Sequence, residues 1–241
     1  KELSKPYEMI DMVTTPDGSL VAMVHCNNCT SDLNAWVNLF KEYHELLGIP
    51  VDMDELYGKL YNIALTGDTD CGGLLSYNYI SGEPVTGLAE GRPLFVRSAN
   101  DKFNLANFMR AHLYASVGVL KIGNDILFND EKVKVDRITG HGGLFRTKGV
   151  GQRILAAAIN SPISVMETAG EGGAWGIALL GSYLVNNDKQ QTLADFLDES
   201  VFVGDAGIEV SPTPEDVAGF NTYIENYKAG LPIEEAAVKF K

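Results

Sequence analysis

The chain has 241 residues, of which 45% are hydrophobic and 21% charged, and its formal net charge is −13. This is the composition of an ordinary globular protein with a sizeable core, in one large or two small domains. The negative field repels nucleic acid and anionic lipid, and no segment approaches the roughly 18 uninterrupted apolar residues of a membrane span.

The chain starts at Lys1 rather than Met, which fits a fragment, and its first residues lack the long apolar core of a signal peptide. Tyr7 to Val13 and Leu20 to His25 read as two short strands. The turn residues Thr14 to Ser19 between them predict a hairpin. Thr30, Ser31 and Asp32 offer caps for a helix through Leu47, with Leu33, Trp36, Val37 and Phe40 at helical spacing on its buried side. A second helix is expected from Asp52 to Ala64, its acidic start (Asp52, Asp54, Glu55) suited to the positive end of the helix dipole. Thr66 to Gly73 reads as a loop, Leu74 to Ile80 and Leu94 to Arg97 as strands, and Asn104 to Phe128 as one long helix.

Val133 to Val185 carries two strand, glycine turn and helix units in succession. A β-rich run, Val133 to Thr139, breaks into Gly140-His141-Gly142-Gly143, and a helical run follows to Asn160. A strand, Ile163 to Met166, then leads through Gly170, Gly172 and Gly173 into a very apolar helix. Such turns in an α/β sheet present backbone N–H groups to a ligand, so nucleotide binding is the leading functional reading. Gly142 and Gly143 leave no Cβ between backbone and ligand, and Thr147 stands ready to cap the next helix or to bond the ligand. The loop fits neither the dinucleotide pattern nor the phosphate-loop pattern. The second helix is apolar nearly all round and is expected to be buried, its small residues packed against a neighbour. Beyond Asn186 the sequence predicts a short helix at Gln190 to Ser200, an amphipathic helix at Pro214 to Tyr227 and a final helix at Pro232 to Phe240. One domain is expected, with the segment from about 190 to 241 as a helical tail packed on its outside.

Three cysteines are an odd number for a chain of this size and fit a reducing cytoplasm better than a disulfide scaffold. Cys26 and Cys29 lie between a strand and a helix start, where a dithiol redox motif sits and a helix N-terminus lowers a thiol pKa. The bland reading is two small buried side chains. No second cysteine pair completes a zinc site, no metal site is expected, and the scattered histidines form no nucleophilic triad.

The Val133 to Leu184 stretch resembles the nucleotide-binding half of the FGGY family of carbohydrate kinases. The corresponding runs are Gly142-Gly143-Leu144 and Ala174-Trp175-Gly176-Ile177-Ala178. Upstream, Tyr79 to Pro84 is similar to the family's Tyr-Leu-Ser-Gly-Glu-Arg segment, Phe108 to Ala111 to the start of its long central helix, and Asp32 to Trp36 to a helix ending in Trp-Leu. The ordered set runs from about Tyr7 to Tyr227, and pentulose kinases of xylulokinase or ribulokinase type are the nearest in pattern. Pro84 replaces the family's Arg, Tyr114 an acid of the central helix, and Leu144 the usual loop Ala.

The resemblance implies an α/β, actin-like (ribonuclease-H-like) fold with a mixed sheet flanked by helices. It implies that 1–241 is the C-terminal, nucleotide-side domain of a two-domain kinase that phosphorylates a sugar such as xylulose or ribulose. ATP and Mg2+ are the implied cofactors. ATP, a sugar and the enzyme's own N-terminal domain are the implied partners, and a homodimer is compatible with the sequence. By position Gly142, Gly143 and Leu144 would lie against the adenosine, with Thr147, Ser31 and Asn34 as polar or small contacts beside it. The catalytic Asp, the sugar pocket and the first phosphate loop would belong to the N-terminal domain, the Gly-Thr-Ser phosphate segment standing just before Lys1, so this chain alone is expected to be inactive. The alternatives are a non-catalytic ATP-binding or assembly domain of the same fold and a dithiol redox protein using Cys26 and Cys29.

Overall fold

A computed structural model of the chain describes residues 2–166, 172–186, 191–203 and 207–240. The fold begins with the expected hairpin. Strands β1 (Ile10–Thr14) and β2 (Leu20–Val24) pair antiparallel, Ile10 opposite Val24 and Thr14 opposite Leu20. Gly18 closes the turn at φ +89°, a region open to glycine at little cost.

Helix α1 (Ser31–Leu46) buries Leu33 and Val37, with Trp36 and Phe40 half-buried against the same core. Helix α2 (Met53–Ala64) is capped by Asp52, whose carboxylate accepts the Glu55 N–H at 3.0 Å. Strands β3 (Leu75–Tyr77) and β4 (Leu94–Val96) form a second antiparallel pair. Asn104 caps the central helix α3 (Leu105–Asp125) by accepting the Asn107 N–H at 2.9 Å. The helical run continues through a π-type turn at Ile126–Asp130, close to the end expected from sequence.

The run Val133 to Thr139 is not a strand. Only Thr139 bridges Ser164, in parallel, through Ser164 N–H to Ile138 O and Gly140 N–H to Ser164 O. Lys134, Val135, Asp136, Arg137 and Thr139 are exposed and only Val133 and Ile138 are half-buried, so this segment offers a sheet few side chains to bury. Helix α4 (Val150–Ile159) and strand β5 (Ile163–Val165) follow as expected. Helix α5 (Gly172–Asn186) departs from expectation in a second way, because it buries none of its residues. Ile177, Leu184 and Val185 are exposed, and a Cβ added at Gly173, Gly176 or Gly181 would meet nothing within 4 Å. Its apolar composition calls for burial, but no described helix approaches its small-residue positions. Gly170 and Glu171 of the turn before it, and Gln190 at the expected start of the next helix, lie outside the described residues.

Helix α6 (Leu193–Phe196) begins at Thr192 with a capping box to Asp195, and strand β6 (Ile208–Val210) pairs antiparallel with β5. The strands thus form three antiparallel pairs plus the one parallel bridge, set among seven α-helices in the described residues. The last helix, α7 (Pro214–Lys239), is continuous where two helices were expected, with Pro232 inside it. Proline removes one backbone bond of the helix, and tertiary contacts hold the chain on both sides of the break. Tyr77 donates its hydroxyl to Tyr227 O at 2.9 Å, and Glu234 accepts the Arg92 N–H at 2.6 Å.

The core is organised around α3. Its Met109, Leu113 and Tyr114 are fully buried, and Phe220, Tyr223, Ile224 and Tyr227 of α7 join the same cluster. Full burial of such side chains contributes roughly 1.5–3 kcal/mol each. The segment expected to lie outside the domain therefore contributes to its centre. A Cβ at Gly219 would come within 2.4 Å of the Thr69 backbone, so α7 can seat this closely only with glycine there.

A buried ion network crosses this core. Arg110 of α3 donates to Asp216 of α7 at 2.6 Å, to Gly67 O at 2.9 Å and to Tyr114 Oη at 3.1 Å. Arg153 of α4 donates to the same carboxylate at 2.7 and 3.1 Å, and Thr213 at 2.9 Å. Burial alone would raise the Asp216 carboxyl, but these bonds, led by that of Arg153, hold it below its ordinary value. Removing one partner of a buried pair leaves an uncompensated charge. Asp216→Ala is expected to lower unfolding stability by about 3–5 kcal/mol in urea titrations. A loss below about 1 kcal/mol would contradict this account of the network.

His112 of α3 is buried, its Nδ1 3.0 Å from Ser76 Oγ and 3.6 Å from Asp32. The rings of Trp36, Phe95 and Phe108 surround it, and burial lowers its pKa to about 3. The fold therefore holds it neutral, while the unfolded chain takes up a proton near its ordinary value. The resulting stability is complete above about pH 6.5 and is lost as pH falls toward the folded value. Asp32, raised by burial, works in the opposite direction in wild type and variant alike. Between about pH 6 and pH 4, wild-type stability should fall more steeply than that of His112→Gln, by about 1.4 kcal/mol per pH unit. Equal slopes in urea titrations across that range would contradict this assignment.

Candidate functional site

The glycine loop ahead of α4 is held at two points. Gly140 carries its N–H to Ser164 O at 2.8 Å, and a Cβ there would lie 2.5 Å from the Phe145 ring. Gly151 of α4 packs so closely that its Cβ would meet Leu144 O at 2.5 Å. Between these anchors Gly142 takes φ +101°, and Gly143 opens a short 3-10 turn, Gly143–Phe145. A Cβ at Gly142 or Gly143 would meet nothing within 4 Å, so this part of the loop faces open space. Gly149, at φ +80°, turns the chain into α4.

The open space is a cavity of about 570 Å³. Gly143, Arg146 and Thr147 of the loop line it, with Thr30 and Asn34 at the start of α1 and Asp54, Tyr57 and Tyr61 of α2. Three of the residues singled out from sequence, Gly143, Thr147 and Asn34, thus share one cavity. Gly142 adjoins Gly143 and sets the loop's direction. Leu144 turns inward, with 8% of its surface exposed, against Gly151. Ser31 is an exposed residue of the first turn of α1 and is not part of the lining.

The start of α1 is fixed by a polar knot. Glu83, fully buried, accepts the Asn27 N–H at 3.0 Å and the Asn28 N–H and Nδ2 at 3.2 Å each. Asn28 Oδ1 in turn accepts the N–H groups of Ile80 and Ser81 at 2.9 and 3.1 Å. Charge-assisted bonds of this kind are the strong ones. They tie the connection between β2 and α1 to the Ser81-Gly82-Glu83 turn, and so place Thr30 and Asn34 on the cavity wall.

The α2 wall escaped the sequence reading. Asp54 passed for a dipole residue, and the signal that identifies it is its spacing with Tyr57 and Tyr61, which places the three on one helix face. The two tyrosine rings meet edge to face at 5.7 Å, and burial raises both phenols above their ordinary value. Both stay protonated and able to donate hydrogen bonds at neutral pH. Tyr57 Oη donates to Asn34 Oδ1 at 3.0 Å. The Asp54 carboxylate has no hydrogen-bond or ion-pair partner among the described residues. The cavity therefore joins a glycine-edged backbone, an arginine, two threonines, an amide and a free carboxylate, a set suited to a polar ligand with an apolar ring.

The cysteine pair is a different matter. Cys26, Cys29 and Cys71 are free thiols. Burial, reinforced by the Glu83 carboxylate, pushes the Cys26 thiol up to about 12, and burial raises Cys29 as well. The expected lowering by the helix N-terminus is overridden, and a dithiol redox role is not favoured. No group of three His, Cys, Asp or Glu side chains that could hold a metal occurs among the described residues, and no described helix is long and apolar enough to cross a membrane.

The chain is a helix-rich α/β protein whose glycine loop borders a cavity of about 570 Å³. The family model of the FGGY family of carbohydrate kinases, C-terminal domain, matches residues 2–185. The chain belongs to that family. Among solved structures it is similar to a ligand-bound xylulose kinase from Lactobacillus acidophilus, with TM-score 0.68 and 16% identity over 97% of this chain and 45% of that one. It is similar also to a xylulose kinase from Rhodospirillum rubrum, with TM-score 0.66 and 17% identity over 96% and 44%. A gluconate kinase from Lactobacillus acidophilus matches with TM-score 0.59 and 19% identity over 76% and 35%. At these identities the likeness establishes the fold, the actin-like ATPase fold of sugar kinases, and the chain spans less than half the length of those structures. No curated protein matches the sequence.

Proposed function

We propose that residues 1–241 are the nucleotide-side domain of an ATP-dependent sugar kinase of the cytoplasm, with a pentulose such as xylulose or ribulose as the phosphoryl acceptor. The observation that carries this reading is the cavity that gathers Asn34, Gly143 and Thr147 beside the glycine loop, in a chain of the FGGY family. Likeness to two xylulose kinases supports the pentulose class.

In this reading ATP lies with its nucleoside in the cavity. Gly142 and Gly143 let the backbone approach it without a Cβ, and Thr147 and Asn34 bond its polar edge. Arg146 supplies positive charge in an otherwise acidic molecule, which favours a polyanion locally. Mg2+ belongs with the phosphates: the ion keeps several waters and needs one or two carboxylates besides substrate oxygens, and the described residues offer no cage of their own. Phosphoryl transfer needs positioning, charge stabilisation and a base for the acceptor hydroxyl. The base and the sugar pocket come from the enzyme's own N-terminal domain, and no residue of this chain is assigned a catalytic role.

Gly143→Val places a side chain where the added Cβ meets no protein atom within 4 Å, so it should fill the cavity without disturbing the fold. ATP affinity by calorimetry is expected to fall at least about tenfold, which corresponds to about 1.4 kcal/mol, with the urea midpoint unchanged. Unaltered affinity would remove the nucleotide from this cavity. The 241-residue chain alone is expected to show no turnover of ATP with xylulose or ribulose in a coupled ADP assay. Turnover at rates typical of a kinase, about 1–100 per second, would overturn the division of labour between the domains.

A further inference from the structure

The α2 wall carries an inference that rests on the nucleotide reading and goes beyond it. Asn34 has two hydrogen-bonding ends, an acceptor Oδ1 and a donor NH2 group. The acceptor end takes the Tyr57 hydroxyl at 3.0 Å. The donor end has no partner among the described residues, and both Asn34 and Tyr57 line the cavity. An amide free at both ends can rotate and offer either polarity to a ligand. An amide held at Oδ1 cannot flip, so the end it leaves without a partner is the NH2 donor.

We propose that Tyr57 is a positioning residue for base selection: its hydroxyl fixes the Asn34 amide so that the cavity presents a donor, and so prefers a purine edge with an acceptor at that point. Asp54 completes the wall with the opposite polarity. A carboxylate accepts hydrogen bonds only, and it repels phosphate oxygens. Its place on α2, three residues before Tyr57 and on the same face, makes this wall a site for the hydroxyl or amino groups of the nucleoside rather than for phosphate. The bland alternative is that the Tyr57–Asn34 bond only ties α2 to α1.

The two readings separate on selectivity. Inosine triphosphate differs from ATP at one edge of the purine, where an amino donor becomes an oxygen acceptor and the neighbouring ring nitrogen gains a proton. Calorimetry with each nucleotide on the wild-type chain should show a preference of about tenfold or more for one of them, as expected when a buried polar group is left unpaired by the wrong ligand. Tyr57→Phe keeps the ring and its edge contact with Tyr61 while removing the hydroxyl, and should cut that preference at least threefold, mainly by weakening the favoured nucleotide. Asn34→Asp, which offers acceptors only, should abolish or invert the preference and tests the same point should Tyr57→Phe fold poorly. A wild type that does not discriminate, or a Tyr57→Phe chain that loses affinity equally for both nucleotides, overturns the proposal and leaves a tie between helices. The site reading is judged separately by Gly143→Val. If that variant loses ATP while Tyr57→Phe keeps full selectivity, only the positioning role falls; if it binds ATP normally, both fall.

Discussion

The Asp216 carboxylate is the constraint on which the rest of the domain depends. One buried side chain receives Arg110 from α3 and Arg153 from α4, while its own residue sits in the first turn of α7. Three helices far apart in sequence are thereby held in one geometry. Apolar packing between them is non-directional, and the ionic network adds direction because hydrogen bonds hold only over a narrow range of distance and angle. The glycine loop enters α4 directly, and Gly151 of α4 presses on Leu144 of the loop. The place of Gly143, Arg146 and Thr147 on the cavity wall follows from where the network puts α4.

A second polar device sets the other side. The Glu83 knot with Asn27 and Asn28 fixes the entry to α1, and the bond from Tyr57 to Asn34 joins α1 to α2. The cavity lies between elements each locked by hydrogen bonds to groups distant in the chain, which is how a binding constellation gains precision from a rigid scaffold. The substitution of Pro84 for the family's arginine sits beside this knot, and the proline starts a 3-10 turn, Pro84–Thr86, without disturbing Glu83. Tyr114, where the family carries an acid, donates to Thr69 O at 3.0 Å and accepts from Arg110, so it belongs to the core network rather than to the cavity.

The same chain holds an element whose composition and surroundings disagree. Helix α5 reads as a buried helix by every apolar criterion, yet Leu184 and Val185 stand exposed, and among the described residues its ring contacts are two, Trp175 with Phe202 at 5.6 Å and Tyr183 with Phe196 at 5.5 Å. Hydrophobicity states that a surface favours leaving water; it does not state what covers it. The contrast with α7 is instructive. That helix has weaker apolar patterning, but one face of it sits in the centre of the core, because glycine at 219 lets it approach and Tyr77 bonds it from within.

By itself the sequence determined the local elements: the hairpin at Thr14 to Ser19, the helix starts at Asp52 and Asn104, the length of α3 and the glycine loop at 140 to 143. Each of these is decided by residues within a few positions of one another, through turn propensity, capping and the helical repeat. Through the family pattern it also singled out Gly143, Thr147 and Asn34, which the structure brings to one cavity. Only the tertiary structure decided that Val133 to Thr139 is reduced to a single bridge, that α7 runs through Pro232, that Leu144 faces inward, and that Asp54, Tyr57 and Tyr61 supply a wall of the cavity. Those outcomes depend on contacts between segments far apart along the chain, where the energy of one side chain is set by what another element places beside it, and no local pattern encodes that pairing.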